Sequence, residues 1–141
     1  MISKTSLNAI KALAVLADLP AGDYAGAGAV ARAIGAHQNY LGKLLQALAR
    51  QGLVSSQKGL GGGFRLARRP QQITLLEIVE PIDHVSRWAR CLMGRAKCSS
   101  EAPCAIHHRW GSVRDAYLAF LRETTIADLS ADHELYLAMA Q

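Results

Sequence analysis

The chain has 141 residues, half of them apolar, and a formal net charge of +5. This length suits one small domain with an oligomerisation element, and the basic balance favours a polyanionic partner. No segment has the apolar length of a membrane span or a signal peptide, and three cysteines without an export signal favour a reducing compartment. We therefore expect a cytoplasmic, mainly helical protein that does not enter a membrane.

The first part of the chain predicts a helix-turn-helix. Residues 5–19 repeat apolar side chains at spacings of three and four, as in an amphipathic core helix. Residues 27–54 then contain a short helix that ends at Gly35 and a second helix that begins at Gln38. Two short helices joined by a tight turn with glycine are typical of this motif.

In a helix-turn-helix the second helix enters the major groove, and its exposed N-terminal residues meet base edges. The residues at this end are polar or basic, and we predict that four of them read or approach bases: Gln38, Asn39, Tyr40 and Lys43. Helical hairpins also occur in proteins that do not bind DNA, so the segment that follows matters.

A glycine-rich, basic hairpin is predicted directly after these helices. Residues 53–57 and 64–67 have the composition of strands, and the turn between them is KGLGGG. Glycines permit positive φ and allow backbone N–H groups to approach an anion. We predict a wing that contacts the DNA backbone and minor groove through Lys58, Gly61, Gly62, Gly63 and Arg65.

Two other interpretations of this turn are a nucleotide-binding loop and an ordinary hairpin. The sequence matches neither GxGxxG nor GxxxxGK, and a strand rather than a helix follows it, which disfavours the first. The ordinary hairpin stays open. Further along, Thr74 and Glu77 have the spacing of a capping box, so a third helix is predicted from Leu75, ended within two turns by Pro81.

All three cysteines lie in one irregular segment, and two histidines follow: Cys91, Cys98, Cys104, His107 and His108. Thiols gathered beside imidazoles on a loop are typical of a soft-metal site or a redox site. Cys104 with either histidine would also suit a nucleophile and its base, but no orienting carboxylate or oxyanion element accompanies them. We therefore do not expect an enzyme.

The last regular pattern is a seam of apolar residues at alternating spacings of four and three: Ile106, Trp110, Val113, Tyr117 and Phe120. A seam of this type predicts a long helix that pairs with a partner helix. We expect a homodimer formed through the helix over residues 106–120. Packing of this helix on its own module is the alternative.

The run QNYLGKLLQALARQGLVSSQKGLGGGFRLA, then ITLLEIVE, then three cysteines before a long helix, resembles the IscR/NsrR-like winged helix-turn-helix regulators. These are bacterial transcription factors, several of which bind an iron–sulfur cluster. The resemblance runs from residue 1 to about residue 129. It implies a homodimer whose long helices cross, and a cluster that alters binding to double-stranded DNA.

The resemblance also implies the ligands. Three cysteines match the cluster cysteines of the family, and a histidine three positions after the last one matches the fourth ligand of one branch; the ligand set is Cys91, Cys98, Cys104 and His107, with His108 as a substitute. In nitric-oxide-sensing members the fourth ligand is an acidic residue of the partner's first helix, but this sequence has no acidic residue before Asp18.

The resemblance implies a 2Fe–2S cluster, with 4Fe–4S as the alternative. One departure bears on the cluster type, because six residues rather than the usual five separate Cys91 from Cys98. A zinc site with the same four ligands stays open, although zinc knuckles use short CxxC pairs that are absent here. A metal-free thiol switch is the other alternative.

The predicted fold is mainly α with a small β-hairpin wing. Its regions are a winged helix-turn-helix DNA-binding domain over residues 1–82, a cysteine-containing cluster loop over 83–109, and a dimerisation helix with a tail over 110–141. The predicted function is a transcriptional regulator whose DNA affinity depends on a cluster that senses redox state, nitric oxide or iron–sulfur status. A cluster-free regulator of the same fold and a helical interaction adaptor are the alternatives.

Overall fold

The computed structural model describes residues 2–130. The helices are α1 (Lys4–Ala17), α2 (Ala27–Ile34), α3 (Gln38–Arg50), α4 (Leu75–Asp83), α5 (His107–Glu123) and α6 (Ile126–Ser130), and the strands are β1 (Val54–Gln57) and β2 (Gly63–Leu66). Two 3-10 turns, Pro70–Gln72 and Val85–Ala89, flank α4. The predicted fold class is confirmed. Residues 131–141, the tail of the predicted region 110–141, lie outside the described residues.

Helix α1 packs at the centre of the core against α2, α4 and α6. Its apolar face, which includes Ala9 and Leu13, is fully buried. The helix begins at a cap in which the backbone N–H of Ser6 donates to the Ser3 hydroxyl at 3.1 Å. The N–H of Ser3 donates in turn to the Asp83 carboxylate at 3.0 Å, so the start of α1 is joined to the end of α4.

Helices α2 and α3 form the predicted helix-turn-helix. Gly35 ends α2 in the left-handed conformation, with φ of 70°, which a residue with a side chain rarely adopts. The helices approach closely because small residues meet between them: a Cβ on Gly42 would lie 3.7 Å from the Cβ of Ala27. Leu41 and Leu45 on the inner face of α3 are buried, so the polar face of α3 points outward.

Strands β1 and β2 pair antiparallel as the predicted hairpin, with Gln57 opposite Gly63 at the turn. A short segment before α2 extends this pairing: the N–H of Ala25 donates to the Phe64 carbonyl at 2.9 Å, and the N–H of Phe64 donates to the Ala25 carbonyl at 2.8 Å. These bonds attach the base of the wing to the helix-turn-helix, so the two parts have a fixed relative position.

Helix α4 begins with the predicted capping box, in which Thr74 and Glu77 each accept the other's backbone N–H, at 3.2 and 3.1 Å. The prediction that Pro81 ends this helix is wrong. The helix continues through Pro81 to Asp83 and ends at His84, whose φ is 51°. Pro81 is exposed and removes only one backbone donor, while the residues before it keep the helix packed in the core.

The residues after the cysteine segment return to the same core. Leu121 of α5 and Ile126 of α6 are fully buried within it. The N–H of Leu75 donates to the Thr124 carbonyl at 2.9 Å, and the N–H of Ile126 donates to the Ile73 carbonyl at 3.0 Å. The start of α4 is therefore joined to the connection between α5 and α6. None of the helices within residues 2–130 has the length and apolar character needed to cross a membrane.

Candidate nucleic-acid interface and cysteine site

The exposed face of α3 carries the residues predicted to read bases. Gln38, Asn39 and Lys43 line a shallow cleft between α3 and the base of the wing. The Gln38 side chain lies against α2, because a Cβ on Gly28 would be 3.1 Å from it. Tyr40 faces a different depression, beside the first turn of α1. The structure thus brings three of the four predicted residues together and places Tyr40 apart from them.

The wing carries its predicted cations on an ordered frame. Lys58 is exposed at the start of the turn, and the Arg65 guanidinium lies over the ring of Tyr24, 4.7 Å from its centre. This cation–π contact orients Arg65. The sequence analysis did not identify Tyr24, because its contact with Arg65 depends on the pairing of Ala25 with Phe64 and leaves no signal in the local pattern.

Close contacts with the protein's own backbone require glycine at two positions of the turn. A Cβ on Gly62 would lie 2.2 Å from the Gln57 carbonyl oxygen, and a Cβ on Gly63 would lie 2.4 Å from the Ala25 carbonyl oxygen. Side chains are therefore excluded at both positions by the protein's own backbone. Contacts of Gly61, Gly62 and Gly63 with DNA stay a prediction.

The cysteine segment places the four predicted ligands in two pairs. The sulfur atoms of Cys91 and Cys104 are 3.9 Å apart, and the Cys98 sulfur lies 3.2 Å from Nδ1 of His107. Across the part of the chain that is described, no three histidine, cysteine or acidic side chains are grouped to hold one metal ion. The substitute ligand His108 is exposed, with its ring edge-on to that of His107 at 5.2 Å.

Positive charge and backbone donors surround these thiols. The backbone N–H groups of Arg95 and Met93 hydrogen-bond the Cys91 sulfur and lower the pKa of that thiol, helped by Cys104 and by the charge of Arg95, while burial opposes them. The turn that aims these donors is closed by the N–H of Gly94, which donates to the Cys91 carbonyl at 3.0 Å. The thiolate form of Cys91 is therefore favoured.

Arg114 is a site residue that the sequence analysis missed. Its guanidinium donates to Asp115 at 3.0 Å and also to the Cys98 sulfur, and these contacts raise the pKa of Arg114. Arg114 follows His107 by two helical turns, so both side chains lie on one face of α5. That spacing was the available signal.

The apolar seam of α5 divides into two sets. Tyr117 stacks on Trp88 at 4.8 Å, and the Trp110 indole N–H donates to the Arg90 carbonyl at 3.4 Å, so these two residues pack on their own chain. Val113 and Phe120 remain 60% and 48% exposed. Packing on the same module thus applies to part of the seam, and the homodimer through the exposed part stays a prediction.

A helix-turn-helix that presents polar residues on its second helix, followed by a basic hairpin attached to it, defines the winged helix-turn-helix class of DNA-binding proteins. The chain belongs to the Rrf2 family within this class: the family model, described as an iron-dependent transcriptional regulator, matches residues 2–132. The predicted resemblance is confirmed.

Two relatives with similar sequences carry the names of HTH-type transcriptional regulators. An HTH-type transcriptional regulator of Aquifex aeolicus is 37% identical over 100 residues, which cover 70% of this chain and 69% of the relative. The transcriptional regulator IscR of Vibrio atlanticus is 31% identical over 97 residues, covering 69% of this chain and 56% of that protein. The match therefore spans less than two thirds of this IscR protein. Because these relatives are transcriptional regulators, the expectation of a protein that is not an enzyme is confirmed.

Solved structures share the fold. CymR, the global cysteine regulator of B. subtilis, aligns with a TM-score of 0.76 at 24% identity over 93% of this chain and 96% of its own. T. potens IscR aligns with a TM-score of 0.73 at 23% identity over 94% of this chain and 87% of its own.

Proposed function

We propose that this Rrf2-family regulator binds double-stranded DNA as a homodimer, and that an iron–sulfur cluster on the cysteine segment controls its DNA affinity. The cluster ligands are Cys91, Cys98, Cys104 and His107. The observation that carries the proposal is the arrangement of these four side chains in two pairs.

The pairing suits a cluster with two irons. Two thiolates on one tetrahedral metal with bonds of about 2.3 Å have sulfur atoms about 3.8 Å apart, and the Cys91 and Cys104 sulfurs are 3.9 Å apart. Cys98 and His107 form a separate pair, as a second iron would require. A structural zinc ion needs all four ligands around one point. The pairing therefore supports 2Fe–2S over zinc.

The chain's own residues prepare the ligands. Backbone N–H groups stabilise the Cys91 thiolate, and Arg114 donates to the Cys98 sulfur. Metal ligation requires deprotonated thiols, so these donors favour binding. When bound, a cluster of this type supplies a one-electron redox centre whose potential rises with histidine ligation.

The cysteine segment is connected to α5 at its end. Cys104 lies just before α5, and the N–H of His107 donates to the Cys104 carbonyl at 3.0 Å. Trp88, just before the segment, stacks on Tyr117 of α5. A change of ligation would therefore act on α5, and through the proposed dimer contact at Val113 and Phe120 it would change the spacing of the two α3 helices.

Anaerobic purification from iron-replete cells tests the cluster. We expect a coloured protein with roughly two irons and two sulfides per chain, and loss of both in the Cys98→Ser variant. Ser100→Ala, in the same segment, is the matched control and should keep the colour. A colourless protein, or one that contains zinc in place of iron, contradicts the proposal.

A metal-free thiol switch is the second candidate, favoured by the 3.9 Å separation of the Cys91 and Cys104 sulfurs. Disulfide formation brings the sulfurs to about 2.05 Å and transfers two electrons and two protons to an oxidant. Metal-free protein treated with diamide should form the Cys91–Cys104 disulfide, located by peptide mass mapping, and its DNA affinity should change. Pairing through Cys98, or unchanged affinity, rules this candidate out.

A further inference from the structure

The tip of the wing carries an apolar side chain with no protein contact to cover it. Leu60 is 108% exposed, more than any other large apolar residue within residues 2–130. Exposed hairpin turns usually carry glycine, asparagine, aspartate or serine, so an aliphatic side chain at this place is unusual. Folding does not account for Leu60, because its side chain contributes nothing to the core.

The turn holds Leu60 outward. The N–H of Gly62 donates to the Gly59 carbonyl at 3.0 Å, which closes a four-residue turn with Leu60 at its second position. Gly61 at the third position has φ of 74°, the pattern of a type II turn. Since Gly62 cannot accept a Cβ and the base of the wing is attached to Ala25, Leu60 is presented on a defined frame.

We propose that Leu60 is a wedge that enters the minor groove and inserts at a base step, bending the DNA. The inference rests on the proposed DNA binding. Apolar side chains that partly unstack a base step are an established way to kink DNA at the minor groove. Lys58 and Arg65 lie on the same hairpin and supply the positive charge that would hold the adjacent phosphates.

DNA fits this tip better than a protein partner does. A protein contact would need a contiguous apolar patch, whereas the neighbours of Leu60 in the chain are Gly59 and Gly61, preceded by Lys58. The apolar residues of the wing lie at its base, where Phe64 is buried in the core. The wing base also borders the cleft lined by Gln38 and Lys43, through Phe64, so the wing extends from the edge of the α3 surface.

A wedge predicts sequence preference at a base pair step. Pyrimidine–purine steps unstack most easily, so they should be enriched where the wing contacts the DNA. Duplexes selected from a randomised pool by the wild-type protein should show such a step, and duplexes selected by Leu60→Ser should lose it. The selected wild-type duplex is then the probe for the remaining measurements.

Bending and unstacking are measured on that duplex. End-to-end energy transfer reports the bend, and 2-aminopurine placed in the step reports unstacking. We expect wild type to bend the duplex and raise the 2-aminopurine signal, and Leu60→Ser to lose both effects, with roughly tenfold weaker affinity. Leu60→Met should retain the bend and the 2-aminopurine signal. The salt dependence of both variants should stay that of wild type because no charge is removed.

Leu7→Ser is the matched control, since Leu7 is also an exposed leucine and lies on α1, outside the wing, α3 and the cysteine segment. It should leave the bend unchanged, and the Leu60 variants should keep the wild-type melting temperature. If wild type selects no duplex, the proposed DNA binding fails. If wild type binds but Leu60→Ser bends and unstacks the probe equally, the wedge is overturned while DNA binding stands. Weaker binding with the bend intact also overturns it, and assigns Leu60 to a surface contact with sugar or protein.

Discussion

At the scale of single residues, the proposed interface places the cations expected to position DNA apart from the polar groups expected to read it. Lys58 and Arg65 lie on the wing, while Gln38 and Asn39 line the cleft at the start of α3. Contacts to phosphate fix orientation without carrying sequence information, and contacts to base edges carry that information. Substitutions in the first group should therefore change the salt dependence of DNA affinity, and substitutions in the second group should change discrimination between duplexes.

Lys58→Ala should weaken binding to specific and random duplexes alike. Loss of one phosphate contact should reduce the slope of log affinity against log salt concentration by about 0.9. Titrations by fluorescence anisotropy at several salt concentrations measure this slope. Arg87→Ala, which removes an exposed cation from the turn after α4, is the control and should leave the slope unchanged. An unaltered slope in Lys58→Ala would remove the wing from the interface.

Gln38→Ala should mainly reduce discrimination between duplexes. A bidentate amide–adenine contact is worth roughly 1–3 kcal/mol of preference over the wrong base, so affinity for the selected duplex should fall while affinity for random DNA changes little. Gln51→Ala, at the opposite end of α3, should leave both affinities unchanged. Equal losses on selected and random DNA would contradict the assignment of Gln38 to base reading.

At the scale of elements, the helices were predictable from regular spacing of residues, whereas the residue at which a helix ends was harder to predict. The spacing of apolar residues located α1, α3 and α5, and the Thr74–Glu77 spacing located the start of α4. Pro81 was misjudged, because tertiary packing of α4 outweighs the loss of one hydrogen bond. Tyr117 was assigned to the dimer seam, although its partner Trp88 is distant in sequence and invisible to a periodic pattern.

The capping box of α4 has a pH dependence. Partial burial would raise the pKa of Glu77, but hydrogen bonds from Thr74 and Arg68 and the charge of Arg68 outweigh it, so the pKa lies below its usual value. The stabilisation is present above the ordinary carboxyl pKa and lost as pH falls through the folded-state pKa. Urea unfolding should show Glu77→Gln less stable by at most about 1 kcal/mol at neutral pH, with the difference vanishing in acid.

Glu123→Gln is the control for this measurement, because Glu123 is an exposed carboxylate at the end of another helix. A Glu77→Gln difference that persists at the lowest pH would show that the carboxylate charge is not the source of the stabilisation.

The exposed part of α5 should form the dimer contact. Phe120→Glu places a charge where two apolar seams would meet, so light scattering after size exclusion should show monomers at concentrations where wild type is dimeric. Ser112→Glu adds the same charge at an exposed position of α5 off the seam, and should remain dimeric. A dimeric Phe120→Glu protein would place the subunit contact elsewhere.

At the scale of the whole molecule, one core is built from residues on both sides of the cysteine segment. Leu13 of α1, Ile78 of α4, Leu121 of α5 and Ile126 of α6 belong to the same buried cluster.

The cysteine site was predictable from the sequence only in part. The proposed ligand residues followed from composition and resemblance, but the division into two pairs and the position of Arg114 depend on how the irregular segment folds back.

Leu121→Ala should destabilise the entire chain, because Leu121 is fully buried. A buried leucine-to-alanine change costs roughly 2–5 kcal/mol, so thermal and urea unfolding should show one cooperative transition at a lower midpoint. Leu92→Ala, at an exposed leucine, is the control and should change little. A transition in which the DNA-binding helices keep wild-type stability would show that α5 folds as a separate unit.

The hydrogen bonds that join Thr124 and Ile126 to the start of α4 hold one end of α5 in place. Its C-terminal end is fixed to the core, whereas its N-terminal end carries His107 and adjoins the thiols. With 17 residues at about 1.5 Å each, α5 is a lever roughly 25 Å long. In the proposed dimer, a small tilt driven at the cysteine end would be largest there and smallest near Leu121. Val113 lies partway along α5, so the displacement passed to a second subunit would be smaller than the displacement at His107.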